Sequence, residues 1–276
     1  MSSSQIGVEC LSKLLTSRDV RIIDGSWALD GSDMHAAFLK EHIPGAQLFD
    51  IEAISDRSTH LPHMAPTPDQ FAEAMSDMGI SEADHVVVYD QQGLFSAARV
   101  WWTFKLMGHP KVQILAGGLP AWKAAHMPVT EAIDNKHRTA YKADFKANMV
   151  IGMDEIFSGL PHDQFMIFDA RSRARFHGLT PEPRDGLRSG HIPQSHSLPY
   201  TELLTEGRLK PREELQAIFT HMGLIPNQTA VTTCGSGVTA AILALALYEI
   251  GHEAVRLYDC SWAQWGQEHL DTPVSV

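Results

Sequence analysis

The chain carries its own pattern twice. Laid against itself, the sequence repeats at an offset of about 145 residues within a length of 276. Two copies of one pattern require two similar folded units, each large enough to bury a core of its own. Residues 21–26 (RIIDGS) match 165–170 (FMIFDA), and 41–46 (EHIPGA) match 190–195 (GHIPQS). Residues 68–78 and 211–222 then pair as amphipathic helices that start at a proline and stop at Gly79 or Gly223, as first-turn proline and C-terminal glycine demand. The central strands follow, with 85–90 (HVVVYD) aligned on 229–234 (TAVTTC), so that Asp90 stands where the second copy has Cys234. After another helix, 106–109 match 249–252, and each copy closes around a tryptophan, Trp122 or Trp265. Strands alternate with helices throughout, which predicts an α/β protein of two tandem domains, each a parallel sheet with helices on both faces. The expected boundaries are 1–134 and 150–276, joined by a polar, solvated connector over 135–149.

The second copy holds the chemistry. Residues 230–233 read as a buried strand that delivers Cys234 into Gly235-Ser236-Gly237, and residues 238–248 (VTAAILALALY) read as an apolar helix. Ligands bind at the C-terminal ends of strands in open α/β sheets, and a glycine-rich loop before a helix turns successive N–H groups inward. The candidate donors are the amides of Gly235, Ser236, Gly237, Val238 and Thr239. Such a loop suits an anion carried on sulfur, and it predicts that these amides face the cysteine sulfur. A phosphatase would need an arginine six residues beyond the cysteine, where Ala240 stands.

The segment CGSGVTA resembles the active-site loop of the rhodanese superfamily, specifically that of its 3-mercaptopyruvate sulfurtransferases. Their loop is neutral where that of the thiosulfate sulfurtransferases carries Arg and Lys. The resemblance spans nearly the whole chain and implies two rhodanese-like domains, of which the first is silent because Asp90 replaces the nucleophile. By the same resemblance, Arg175 and Arg184 bind the carboxylate and keto oxygens of the donor. A relay of Ser236, His63 and Glu52 serves the leaving pyruvate enolate. The implied reaction moves sulfur from 3-mercaptopyruvate, a small-molecule donor, through a Cys234 persulfide to cyanide, a thiol or a dithiol protein. Two alternatives remain at this point: a thiosulfate sulfurtransferase, and a persulfide carrier without turnover. Arg171, Arg173 and Arg188 read as surface arginines, whereas His42 and His191, which recur in equivalent His-Ile-Pro turns, read as structural.

A net charge of −11 argues against nucleic acid or an anionic membrane as partner. No metal-ligand spacing, phosphate loop or dinucleotide fingerprint occurs in the sequence, so no cofactor or metal is expected. The start lacks a secretory pattern, no apolar run is long enough to span a bilayer, and three scattered cysteines fit a reducing compartment, so the expected location is cytoplasmic.

Overall fold

A computed structural model describes residues 3–134, 136–162 and 164–276. It divides the chain into two compact units. Unit 1 comprises Met1–Asp56, Ala65–Lys146 and Thr205–Leu209; unit 2 comprises Arg57–Met64, Ala147–Leu204 and Lys210–Val276.

Unit 1 runs β1 (Gln5–Ile6), α1 (Val8–Leu14), β2 (Val20–Asp24), α2 (Met34–Lys40), β3 (Ala46–Leu48), α3 (Pro68–Asp77), β4 (His85–Tyr89), α4 (Ala97–Leu106), β5 (Val112–Leu115) and α5 (Gly118–Ala124). Its strands form one parallel sheet in the order β1-β5-β4-β2-β3. Every residue of β4 is buried, as a central strand covered on both faces requires. Val87 and Tyr89 pack with Ile22, Leu115 and Trp122 on one side. An aromatic cluster supplies further core, with Phe71 set edge-on to Phe104 and Tyr141 at ring separations of 5.1 and 5.5 Å. The predicted proline-started helix is α3, whose Thr67 cap and Gln70 form a reciprocal capping box.

Tyr141 belongs to the segment expected to be solvated. Instead, the segment is strapped along unit 1: Thr139 N donates to Ser76 O, Asp144 N to Met107 O and Lys146 N to Leu106 O. The ends of α3 and α4 leave carbonyls without helical partners, and this polar segment satisfies them while Tyr141 joins the core. Polarity in the sequence concealed that backbone role.

Unit 2 contains α6 (Met153–Gly159), β6 (Phe165–Asp169), α7 (Arg173–Phe176), β7 (His196–Ser197), α8 (Arg212–His221), β10 (Thr229–Thr233), α9 (Ala240–Glu249), β11 (Val255–Leu257) and α10 (Ser261–Trp265). The short strands β8 (Leu204–Thr205) and β9 (Arg208–Leu209), the latter counted with unit 1, precede α8 in the chain. The parallel order is β11-β10-β6-β7, with β10 central as β4 is in unit 1. The predicted helix over 238–248 starts two residues later, at Ala240, because Gly237 turns through φ +79° and commits Val238 and Thr239 to the loop. All of Ala240–Leu247 is buried, as the uniform apolar sequence demands.

The repeat extends to single hydrogen bonds. Trp122 and Trp265 are both fully buried, and their indole N–H groups donate to Pro128 O and Pro273 O. His42 stacks on Phe38 and bonds its carbonyl through Nδ1 at 2.8 Å, and His191 does the same with Phe176 at 2.9 Å. These histidines hold turns, as read from their recurrence.

The end of β4 shows what the shared loop is built to hold. Asp90, buried, accepts from Gln92 N at 2.9 Å, from Phe95 N at 2.7 Å and from Ala97 N at 2.9 Å. A carboxylate of the chain thus satisfies three amides at the entrance to α4, in line with the positive end of a helix. Asp90→Asn exchanges one acceptor oxygen for a donor that faces N–H groups. Its unfolding free energy is expected to fall by about 2–5 kcal/mol, read by urea or thermal denaturation.

Candidate active site

Cys234 sits at the C-terminal tip of β10 with 2 % of its surface exposed. Its backbone is pinned on both sides, since Cys234 N donates to Ser261 Oγ at 3.1 Å while Cys234 O accepts from Trp262 N at 3.0 Å. Gly235 O accepts from Ala263 N at 2.9 Å, so the start of α10 clamps the loop by two successive carbonyls. The amides of Gly235, Ser236, Val238 and Thr239 find no acceptor among the described residues, and none of them donates to Cys234 Sγ. The expectation that they face the thiol sulfur itself is therefore corrected. The sulfur, one bond from Cβ, falls short of the position that the Asp90 oxygens reach from two bonds away.

Ser236 is the meeting point of two predicted groups. His63 Nδ1 lies 2.9 Å from Ser236 Oγ, and Arg184 Nη2 donates to the same oxygen at 3.4 Å. A hydroxyl that accepts from arginine keeps its proton to donate, so the geometry fits a His63 with an unprotonated Nδ1. His63 is 3 % exposed and held at φ +59°, a left-handed conformation that costs a residue with Cβ about 1–3 kcal/mol. Its segment, Arg57–Met64, belongs to unit 2. Glu52 lies in unit 1, where its carboxylate accepts from the Trp27 indole at 2.9 Å and Asp50 caps its turn through Glu52 N.

The arginines sort differently from the sequence reading. Arg173 is exposed and pairs with Glu202, as a surface arginine does. Arg188 is half-buried and donates to Trp265 O and Thr272 O, tying down the chain after α10. Arg171 is fully buried between Asp169 at 2.7 Å and Glu182 at 2.8 Å, with its guanidinium 4.4 Å above the Trp262 ring. Burial alone would push its pKa down, but the two carboxylates more than offset this and hold it above the ordinary arginine value. Arg175 bonds Glu182 through Nε and Nη2. Its guanidinium also lies against the Cys234 loop, because a Cβ at Gly235 would come within 2.9 Å of Arg175 Nη2. A side chain at 235 would therefore displace the Arg175 guanidinium from the loop.

Sequence reasoning missed Ser261. It is wholly buried at φ +49°, where unit 1 has Gly118 at φ +54°, and its hydroxyl donates to Tyr258 O while accepting from Cys234 N. A serine at a position of the repeat otherwise filled by glycine was the available signal.

A profile of the rhodanese-like domain matches residues 8–125 and 154–268. The chain belongs to the rhodanese family. Among its relatives, the 3-mercaptopyruvate sulfurtransferase of Escherichia coli (strain K12) is 40 % identical over 272 residues, covering 98 % of this rhodanese and 96 % of that protein. The mitochondrial thiosulfate/3-mercaptopyruvate sulfurtransferase 1 of Arabidopsis thaliana is 37 % identical, covering 99 % and 78 %. The crystal structure of SseA from Escherichia coli, a 3-mercaptopyruvate sulfotransferase, superposes with a TM-score of 0.87 at 37 % identity, over 95 % of this rhodanese chain and 99 % of that one.

Ser261 separates strain from hydrogen bonding in this rhodanese. Ser261→Ala keeps the left-handed residue and orphans Cys234 N, whereas Ser261→Gly orphans the same amide but relieves the strain. Unfolding free energy should drop by about 1–3 kcal/mol in the alanine variant and by about 1 kcal/mol less in the glycine variant, measured by chemical denaturation.

Proposed function

We propose that this enzyme transfers sulfur from 3-mercaptopyruvate through a persulfide on Cys234 to a thiol, a dithiol protein or cyanide. One observation carries the reading: the paired loops at the ends of β4 and β10. In the first, amides of the loop grip carboxylate oxygens two bonds from Cβ of Asp90. In the second, the residue at that position is a cysteine and four amides lack an acceptor among the described residues. The outer sulfur of a cysteine persulfide lies two bonds from Cβ, as the aspartate oxygens do, and it carries the negative charge these amides are arranged to accept.

The chemistry then needs no cofactor. Cys234 thiolate attacks the thiol sulfur of mercaptopyruvate, and the carbon–sulfur bond breaks with its electron pair left on the methylene carbon. The resulting enolate takes the proton that the donor thiol gave up and leaves as pyruvate, while Cys234 keeps the sulfur as a persulfide anion. Arg184 and Arg175 supply charge-assisted hydrogen bonds to the carboxylate and keto oxygens. Ser236 and His63, with Glu52 as the acid of the relay, pass the proton to the enolate. A thiolate or cyanide finally attacks the outer sulfur and restores Cys234. Cytoplasmic placement belongs to the same proposal, and among the described residues no helix is long and apolar enough to cross a membrane.

The two rivals make different demands. Thiosulfate is a dianion and favours cations beside the sulfur, but Gly235 and Ser236 provide none, although the Arabidopsis relative is named for both donors. A persulfide carrier without turnover needs the amide loop but has no use for Arg184 and His63 converging on Ser236.

Mass spectrometry after mixing with mercaptopyruvate should find one added sulfur on Cys234, with both adduct and pyruvate release lost in Cys234→Ser. Sulfur on Cys10 or Cys260 instead would overturn the proposal. Arg184→Ala removes one or two charge-assisted hydrogen bonds of about 1.5–3 kcal/mol in total, so kcat/KM for mercaptopyruvate should fall roughly 10- to 150-fold in steady-state assays.

A further inference from the structure

One surface is covered in unit 1 and open in unit 2. Counted from the matched glycines Gly79 and Gly223 and the matched histidines His109 and His252, both units carry the same floor: the end of one helix, the loop after it, and the end of the next helix. In unit 1 the strap of residues 136–146 lies on that floor. A Cβ at Gly79 would come within 2.7 Å of His137 O, and Thr139 N donates to Ser76 O while Tyr141 N donates to Ser76 Oγ. The Tyr141 ring stacks on His109 at 5.9 Å, with its hydroxyl 3.0 Å from His109 Nδ1.

In unit 2 a Cβ at Gly223 would meet nothing within 4 Å, and a cavity of about 540 Å³ opens there. Among the described residues it is lined by the end of α8, the loop to β10 and the turn after α9 alone. Ile225 on its wall is 62 % exposed, where unit 1 has Ser81. Thr220 O, the counterpart of Ser76 O, receives no hydrogen bond from beyond its own turn, and Leu224 O, the counterpart of the Ile80 O that takes the Thr139 hydroxyl, receives none among the described residues. One contact is already substituted: Arg212 Nη2 bonds Ile250 O at 2.9 Å, where Asp144 N of the strap bonds Met107 O.

His252 names the missing group. Its ring is fixed as that of His109 is, with Nε2 2.8 Å from Gln228 O against 3.0 Å from Asp84 O. A carbonyl can only accept, so Nε2 carries the hydrogen and Nδ1 of the neutral ring is an acceptor. In unit 1 that acceptor meets the Tyr141 hydroxyl, whereas in unit 2 no described residue bonds it.

We propose that the cavity beside His252 is a docking site for a peptide segment of a partner protein, which inserts a tyrosine as the strap does in unit 1. The tyrosine hydroxyl donates to His252 Nδ1, its ring lies against Phe219, and a Ser or Thr two residues earlier bonds Thr220 O and Leu224 O. The positive charge of the strap is not part of the recognition. Asp77, which pairs with Arg138, and Glu82, which accepts from Lys142 N, are replaced in unit 2 by His221 and Pro226. The loop precedes Thr229 at the start of β10, whereas Cys234 follows its end, so a docked segment leaves Cys234 uncovered.

The test is an NMR titration of the full chain with the acetylated, amidated peptide of residues 139–144 (TAYKAD), which has no net charge. Saturable shifts should centre on residues 220–228 and 250–253, and phenylalanine in place of tyrosine should weaken binding about 5-fold through the lost hydrogen bond. His252→Phe should abolish the difference between the two peptides. Should that variant not fold, Thr220→Arg, an exposed change at the end of α8, fills the groove and should abolish binding. The absence of saturable shifts at about 10 mM peptide, shifts centred elsewhere, or equal affinity of the two peptides would overturn the proposal. Binding of p-cresol as tight as that of the peptide would do so by making the cavity a small-phenol site. Dimerisation of the protein that Thr220→Arg abolishes would do so by giving the groove to a second copy.

Discussion

An anion must be held where a central parallel strand runs into a buried helix, and the rest of this structure is arranged around that requirement. The helix start leaves N–H groups without partners, and a buried amide left unsatisfied costs about 1–3 kcal/mol. Unit 1 meets the requirement from within, by the carboxylate of Asp90. Unit 2 places Cys234 there and leaves the amides of Gly235, Ser236, Val238 and Thr239 without an acceptor among the described residues. The same strand, loop and helix thereby serve as a self-contained support in one unit and, in the function proposed above, as the reaction centre in the other.

Stability is given up around that centre in identifiable ways. His63 at φ +59° and Ser261 at φ +49° are both buried non-glycine residues in the left-handed region, and each directs a polar atom at the Cys234 loop. Strain of this kind persists only where surrounding contacts over-determine the backbone. Trp262 supplies part of that restraint, since its amide bonds Cys234 O, its indole N–H bonds Arg188 O, and its ring lies under the Arg171 guanidinium.

The charged chain from Asp169 to Arg175 is a second concession. Burying an ion pair costs desolvation that its mutual attraction often only offsets, while removing one partner costs about 3–5 kcal/mol. Such a chain is a poor source of stability but a good source of fixed geometry. The segment from Arg171 to Arg188 is thereby held to the sheet at its base, to the chain after α10 at its end, and to the Cys234 loop between.

The sequence by itself determined the duplicated α/β architecture, the central strands, the cysteine loop and the structural histidines, because each rests on local periodicity or on a motif present in both copies. It named His63, Ser236, Arg175 and Arg184 only through family resemblance, since no spacing brings His63 to a serine 173 positions away. Tertiary structure alone decided that His63 packs with unit 2, that Arg171 is buried rather than exposed, that Glu182 pairs with Arg175, and that Ser261 holds Cys234. It also decided that the polar segment around Tyr141 is a strap. The physical reason is common to all of these. Hydrophobic periodicity records which face of an element is buried, but the partner of a buried polar group is chosen by long-range geometry, and a charged or polar residue looks the same in sequence whether water or another side chain satisfies it.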